Sequence, residues 1–271
     1  MYTNKNQIGI KTEAHNKTKE LNVKQMNSTS SKSKLLEIIN SLKKQKTYFN
    51  YDEIITLIHK NNIQLANPSI KIYLHSFTKN EIIFNAGKGW YSSMDKPFQL
   101  NKEPIKKIIQ ALNRKFPLLT FSVWSTEQLN PFTHHIFSKF VTFIYVDLDF
   151  IKIIADFLRE SGYNVYEKPT KSEIEKQFKI VNKTVIILPS IYNQPKSNEY
   201  FAPIEKNLVD FLMENRNFKI MELSETEKVF NNVLTSGRVN IATILSYSKR
   251  RKFNNNAIIN QLRLNGLGVY G

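Results

Sequence analysis

The hydrophobic residues that follow Ser33 recur at helical spacing and predict two helices in succession. The first covers about Ser33–Gln45, with Ser33 as its N-cap. Its apolar face is formed by Leu35, Ile38, Ile39 and Leu42. The second helix begins after Asn50, a favourable N-cap that is followed by acidic residues in the first turn, and it ends around Asn61–Asn62.

A third helix is predicted from Asn67, an N-cap that places Pro68 at the first helical position. Three apolar residues at helical spacing predict its buried face: Ile70, Leu74 and Phe77. The opposite face carries Ser69, Lys71, Ile72, His75 and Ser76. This face is therefore expected to be in contact with solvent or with a partner.

A β-hairpin is predicted directly after the third helix. Two short runs favour strands, Glu81–Phe84 and Trp90–Ser92, and they flank the turn Asn85–Gly89. Gly87 and Gly89 in this turn are free to adopt positive φ angles. Three helices followed by a hairpin predict a winged helix-turn-helix.

The exposed side of the third helix is the predicted DNA-binding surface, because the second helix of such a motif lies in the major groove. We expect base or phosphate contacts from Ser69, Lys71, Ile72, His75 and Ser76, from Lys79 at the helix end and from Lys88 in the turn. Two alternatives remain open at this stage. The same residues also fit a solvated helix face or a module that binds another protein.

The rest of the chain alternates strand-like and helical patterns. The predicted strands are Thr120–Trp124, Phe140–Leu148, Asn164–Glu167 and Thr184–Leu188. The predicted helices are Ile105–Lys115, Ile151–Ser161, Ile204–Asn215 and Ser224–Leu234. The predicted fold class is α+β, with a winged helix-turn-helix followed by a larger mixed α/β domain.

Three regions follow from these patterns. Residues 1–32 are polar and without periodicity, which predicts a disordered tail. Residues 33–95 form the predicted DNA-binding domain, and a fragment of residues 1–95 is expected to fold and to bind DNA alone. Residues 96–271 form the α/β domain, in which the basic cluster Lys249, Arg250, Arg251 and Lys252 is expected to bind the phosphates or acidic groups of a partner.

The formal net charge of +16 favours a polyanionic partner, and nucleic acid is the leading candidate. A membrane partner is not expected, because no run of about eighteen apolar residues occurs. The chain has no cysteine, and residues Met1–Thr12 lack the apolar core of a signal peptide. We therefore expect a cytoplasmic protein.

Two pairs of residues are candidates for catalytic or metal-binding sites. His134 and His135 are adjacent on an extended segment, so their side chains point to opposite sides and do not readily share an ion. Asp147 and Asp149, at the end of an apolar strand, are expected to point to one side, as in divalent-metal nucleases. No Gly-rich phosphate loop accompanies them. The expectation is a protein without catalytic activity, metal or cofactor, and the alternative is a metal-dependent nuclease that a winged helix directs to DNA.

Several segments, taken in order, resemble the AbiEi family of antitoxins, which belong to bacterial abortive-infection toxin–antitoxin systems. The similarity covers about residues 34–263, and its more specific parts are Glu205–Asp210 and Leu245–Arg251. The resemblance implies an antitoxin and transcriptional autorepressor that binds double-stranded operator DNA through its winged helix. It also implies a functional partner, a cognate nucleotidyltransferase toxin, which is counteracted without a stable complex.

Overall fold

A computed structural model describes residues 31–134, 137–254 and 258–259, and it shows a mixed α/β fold. Nearly all of the predicted tail, residues 1–30, lies outside the described residues, and so does His135. In the part that the structure describes, no helix combines the length and the apolar character needed to cross a membrane.

Three helices and a small sheet form the N-terminal part. Its elements in chain order are α1 (31–45), β1 (Tyr48–Asn50), α2 (Tyr51–Lys60), α3 (Asn67–Lys79), β2 (Phe84–Asn85) and β3 (Trp90–Ser92). The three strands are antiparallel in the order β1-β3-β2. The predicted hairpin is therefore present, although its first strand is shorter and begins at Phe84 instead of Glu81. Strand β1 was not predicted.

The N-terminal helices pack around the apolar residues that their spacing predicted. Leu35, Ile54, Ile70, Leu74 and Phe77 are all buried in one hydrophobic cluster. Helix α2 begins at a capping box, in which the Asn50 side chain accepts from the Glu53 N–H and the Glu53 carboxylate accepts from the Asn50 N–H.

Two predicted N-caps were wrong. Ser33 lies inside α1, because the helix already includes residue 31. The N-cap of α3 is Ala66, so Asn67 is the first helical residue and makes no capping hydrogen bond. Pro68 correctly indicated that a helix begins close to it. It does not determine the first helical residue, because proline is tolerated at either of the first two helical positions.

The C-terminal part is built on a four-stranded sheet. Its strands are β4 (Phe121–Ser125), β5 (Val141–Val146), β6 (Asn164–Glu167) and β7 (Thr184–Pro189). Their order is β4-β5-β7-β6, with β4 antiparallel to β5 and the other neighbours parallel. Its helices are α4 (Glu103–Lys115), α5 (Ile151–Glu160), α6 (Lys171–Gln177), α7 (Ile204–Phe218), α8 (Leu223–Ser236) and α9 (Ile241–Arg250).

Helices cover both faces of this sheet. One face packs on α4 and α5 through residues such as Val123 and Ile144. The other face packs on α7, α8 and α9 through residues such as Trp124, Phe143 and Tyr145. Alternation of side chains along each strand separates the two cores. The α/β composition predicted for residues 96–271 is thus confirmed.

The small sheet of the N-terminal part packs against the C-terminal part. Tyr48 on β1 and Ala86 after β2 are buried in the same cluster as the residues of α7, α8 and α9. The Tyr48 hydroxyl donates to the Gly237 carbonyl over 3.1 Å and accepts from the Val239 N–H over 3.0 Å. The segment before α9 therefore joins the two parts.

Candidate nucleic-acid interface

The outer face of α3 is open to solvent and carries the predicted contact residues. Lys71, Ile72, His75 and Lys79 are exposed, and the Ile72 side chain has 66% of its surface accessible. Ser69 and Ser76 are half-buried. The Ser76 hydroxyl already accepts from Lys32 Nζ at 3.4 Å, so α1 contributes a cation beside the same face.

The turn between β2 and β3 has the backbone that its glycines predicted. Gly87 has φ +108° and Gly89 has φ +75°, and the Asn85 side chain accepts from the Gly87 N–H over 2.8 Å. Lys88, between the two glycines, is exposed. This turn thus presents one cation to solvent.

The lysines at the end of α1 differ in how far they remain available. Lys43 Nζ donates to the Ile82 carbonyl over 2.6 Å, and Lys46 Nζ is 2.7 Å from the Glu53 carboxylate. Lys44 between them is exposed. Of these three lysines, Lys44 is the one left for a phosphate.

The turn is in contact with the start of α9. The Ile241 N–H donates to the Ala86 carbonyl over 2.8 Å. A Cβ added to Gly87 would lie 2.6 Å from the Ala242 Cβ and also against the Asn240 side chain. Glycine is therefore required here for close packing as well as for its φ angle.

Arg238 strengthens this junction from the other side of the hairpin. Its guanidinium lies 5.0 Å from the Phe84 ring centroid and donates to the carbonyls of Met94 and Asp95, each at 3.0 Å. The backbone of Arg238 also pairs with the segment that leads out of the hairpin. The hairpin is thus fixed on the C-terminal part through several polar contacts.

The predicted basic cluster at the end of α9 is divided by the structure. Lys249, Arg250 and Lys252 are exposed, as a partner-binding patch requires. Arg251 is not part of that patch, because only 10% of its side chain is accessible. Its Nη2 donates to Glu214 over 2.5 Å, and its Nε lies 3.5 Å from an Asp210 oxygen.

Arg251 belongs to a buried polar network between α7, α9 and β5. Lys206 and Asp210 form a fully buried ion pair one turn apart on α7, and the Tyr247 hydroxyl donates to Asp210 over 2.8 Å. The Tyr145 hydroxyl donates to Glu214 over 3.1 Å. Two cations and two carboxylates are thus enclosed together, which balances their formal charges.

Burial shifts the pKa of three groups in this network. Desolvation lowers the pKa of Lys206 from its usual range, although the neighbouring Asp210 carboxylate opposes the shift. Desolvation also raises the pKa of Tyr145 and of Tyr247. The sequence analysis did not predict this network. The pattern that indicates it is the four-residue spacing of Lys206, Asp210 and Glu214, which places all three on the buried face of α7.

Asp147 and Asp149 do not share one side of a strand. Strand β5 ends at Val146, Asp147 follows it, and Asp149 lies in a short 3-10 turn, Leu148–Phe150. The prediction was wrong because strand alternation ends before both residues. Both aspartates are exposed. Among residues 31–134, 137–254 and 258–259, no group of three or more His, Asp or Glu side chains is gathered that could hold a metal ion.

A family model described as a family of unknown function (DUF6577) matches residues 69–265, which include α3 from Ser69 onward, the hairpin and the whole four-stranded sheet. No curated protein matches the chain.

Proposed function

The chain belongs to the DUF6577 family, whose function is unknown, and we propose that this protein is a DNA-binding transcriptional repressor. The observation that carries the proposal is the order of the N-terminal elements, α1-β1-α2-α3-β2-β3, with the sheet order β1-β3-β2. This arrangement supports a winged helix-turn-helix in which α3 is the recognition helix and the β2–β3 turn is the wing.

The charges and shape of α3 support a duplex as the ligand. Its buried face is apolar and holds the helix in place, so the outer side chains project from a rigid support. Lys71 and Lys79 suit phosphates, His75 offers a ring that bonds to a base or a phosphate, and Ile72 offers an apolar contact to a thymine methyl. A net charge of +16 favours the same partner.

The test is DNA binding by the full-length chain with the double variant Lys71→Ala/His75→Ala. The probe is the duplex that lies upstream of the protein's own gene, and the measurement is fluorescence anisotropy at several salt concentrations. We expect the variant to lose at least about tenfold in affinity, since two phosphate or base contacts are each worth about 1 kcal/mol or more.

A matched control uses His59→Ala/Lys60→Ala. These residues are also an exposed histidine and lysine, but they lie in the last turn of α2. The control should bind as the wild type does. A wild-type chain that fails to bind this duplex at low salt, or an α3 variant that matches the control, would contradict the proposal.

The proposal extends to an antitoxin role, as the resemblance to the AbiEi family implies. The two segments that carry the most specific part of that resemblance, Glu205–Asp210 and Leu245–Arg251, supply Asp210, Tyr247 and Arg251 to one buried network. They thus form a single structural unit of α7 and α9. The partner in this proposal is a nucleotidyltransferase toxin, and the site of the protein's action is the cytoplasm.

Growth rescue tests the antitoxin role separately. A nucleotidyltransferase encoded beside this gene would be expressed with and without the chain, and the chain should restore growth. The nuclease alternative is tested by incubating plasmid DNA with the chain and Mg²⁺. Cleavage that is lost in Asp147→Ala would favour the nuclease over the repressor.

A further inference from the structure

Helix α9 begins at the wing turn. Its N-terminal end touches that turn, through the Ile241 N–H bonded to the Ala86 carbonyl and through the close approach of Gly87 to Ala242. The helix has ten residues and is therefore about 15 Å long. A duplex that reaches the turn presents phosphates over that same length, because B-DNA carries about one negative charge per 1.7 Å of its axis.

The free side of α9 is basic and contains no acid. Its sequence from Ile241 to Arg250 has no Asp or Glu, and its exposed residues are Ser246, Lys249 and Arg250. At the start of the helix the Glu205 carboxylate accepts from the Asn240 N–H over 2.8 Å. A polyanion that lies along the exposed side of α9 would contact two cations, Lys249 and Arg250, at the C-terminal end of the helix.

The far end of α9 is held in place by the buried network. Arg251, directly after the helix, binds Glu214 and approaches Asp210, while Tyr247 inside the helix binds Asp210. Lys249 and Arg250 consequently project from a fixed support instead of a mobile end. The two adjacent arginines thus differ in role: Arg251 anchors the end of α9, and the exposed Arg250 remains available to bind an anion.

We infer that Lys249 and Arg250 bind DNA phosphates and extend the α3 and wing surface onto the C-terminal part. This inference rests on the proposed DNA-binding function. The contacts are electrostatic and independent of base sequence, because both side chains end in cations that suit phosphate oxygens. The C-terminal part thereby contributes directly to affinity.

The experiment compares full-length Lys249→Gln/Arg250→Gln with the wild type on the duplex upstream of the gene. The logarithm of the association constant is measured against the logarithm of salt concentration. Each phosphate contact contributes about 0.9 to the slope, so the loss of two contacts should reduce its magnitude by about 1.8. A hydroxyl-radical footprint should lose protection at one edge only.

Arg114→Gln/Lys115→Gln is the matched control. These residues are also an adjacent, exposed arginine and lysine in the last turn of a helix, but α4 lies on the other face of the four-stranded sheet. The control removes the same charge and should keep the wild-type slope. Circular dichroism should show wild-type helix content in both variants.

The outcomes separate this inference from the proposed function. If the α3 variant Lys71→Ala/His75→Ala loses binding while Lys249→Gln/Arg250→Gln keeps the wild-type slope, the α9 contact is overturned and the DNA-binding proposal stands. Equal slope reductions in the α9 and α4 pairs overturn it too, because net charge alone would then explain the effect. A wild-type chain that binds no duplex overturns both.

Discussion

Arg251 is the single residue on which the end of α9 depends most. Its guanidinium neutralises Glu214 and lies beside Asp210, so its removal leaves two carboxylates enclosed with Lys206 as their remaining cation. We expect Arg251→Ala to lower the free energy of unfolding by about 3–5 kcal/mol, as does the loss of one partner of a buried ion pair. Urea denaturation measures this value.

Arg250→Ala is the neighbouring control, because the Arg250 side chain is exposed. Its cost should be about 0.5 kcal/mol or less. Equal losses in the two variants would show that the buried network does not depend on Arg251. The sequence could not predict this difference between two consecutive arginines, because the Glu214 carboxylate that binds Arg251 lies on α7, 37 residues away along the chain.

Tyr48 makes the stability of the chain sensitive to high pH. Burial raises its pKa to about 12, against a smaller opposing effect of the hydrogen bond from Val239. In the unfolded chain the phenol ionises at its usual pKa of 10.0, so the stabilisation is complete below pH 10 and is lost as the pH rises toward 12. The free energy of unfolding should therefore fall across this range.

Tyr48→Phe isolates that contribution. Urea denaturation between pH 10 and about 12 should show a pH slope that is less negative by up to about 1.4 kcal/mol per pH unit, the free energy of one proton. Tyr192→Phe is the control, because Tyr192 is 85% exposed and should leave the slope unchanged. If Tyr48→Phe retains the wild-type slope, another group controls the loss.

At the scale of elements, the fit between the β2–β3 turn and α9 depends on Gly87. Gly87→Ala places a Cβ against the Ala242 and Asn240 side chains, and these belong to the start of a helix that cannot move alone. Gly89→Ala is a suitable control, because Gly89 also has a positive φ angle but nothing lies within 4 Å of an added Cβ.

Gly87→Ala should be more destabilising than Gly89→Ala by about 1–3 kcal/mol, the usual cost of overpacking a close contact. Thermal or urea denaturation of the two variants measures the difference. Equal losses would mean that the backbone angle alone matters and that the turn does not need the α9 contact.

The elements were largely predictable where a hydrophobic pattern was long enough to identify them. Strand Asn164–Glu167 has the predicted bounds, and helix α5 differs from its prediction by one residue at its end. Strand β1 was missed because three residues cannot establish alternation, and Tyr48 is buried for a tertiary reason. Helical phase correctly predicted Lys71, Ile72 and His75 as exposed, because Ile70, Leu74 and Phe77 fix which side of α3 faces inward. Ser69 and Ser76, predicted on the same face, are half-buried at its edges.

At the scale of the whole molecule, the sequence predicted a helical N-terminal part with a hairpin and a mixed α/β C-terminal part, but not the contacts between them. The domain boundary at residue 95 and the independent folding of residues 1–95 remain predictions. The contacts of Tyr48, Ala86 and Arg238 cross that boundary, and they join residues more than 140 positions apart. No local sequence pattern encodes such a contact, because the contact depends on how the folded surfaces of the N-terminal and C-terminal parts fit together.

These contacts predict that the N-terminal and C-terminal parts unfold together. The chain has two tryptophans: Trp90 lies in β3 and packs against the core cluster of the C-terminal part, and Trp124 is fully buried in β4. Trp90→Phe leaves a probe in the large sheet, and Trp124→Phe leaves one in the small sheet. Each variant would be unfolded in urea and followed by both fluorescence and far-ultraviolet circular dichroism.

Within each variant the two signals should give the same midpoint, because coincident transitions indicate a single cooperative unit. The comparison is made inside one variant, so the stability cost of the substitution itself does not affect it. If the fluorescence of Trp90 changes at a different urea concentration from the circular dichroism, the small sheet separates before the rest unfolds. In that case the junction formed by Tyr48, Ala86 and Arg238 would be too weak to couple the small sheet to α9.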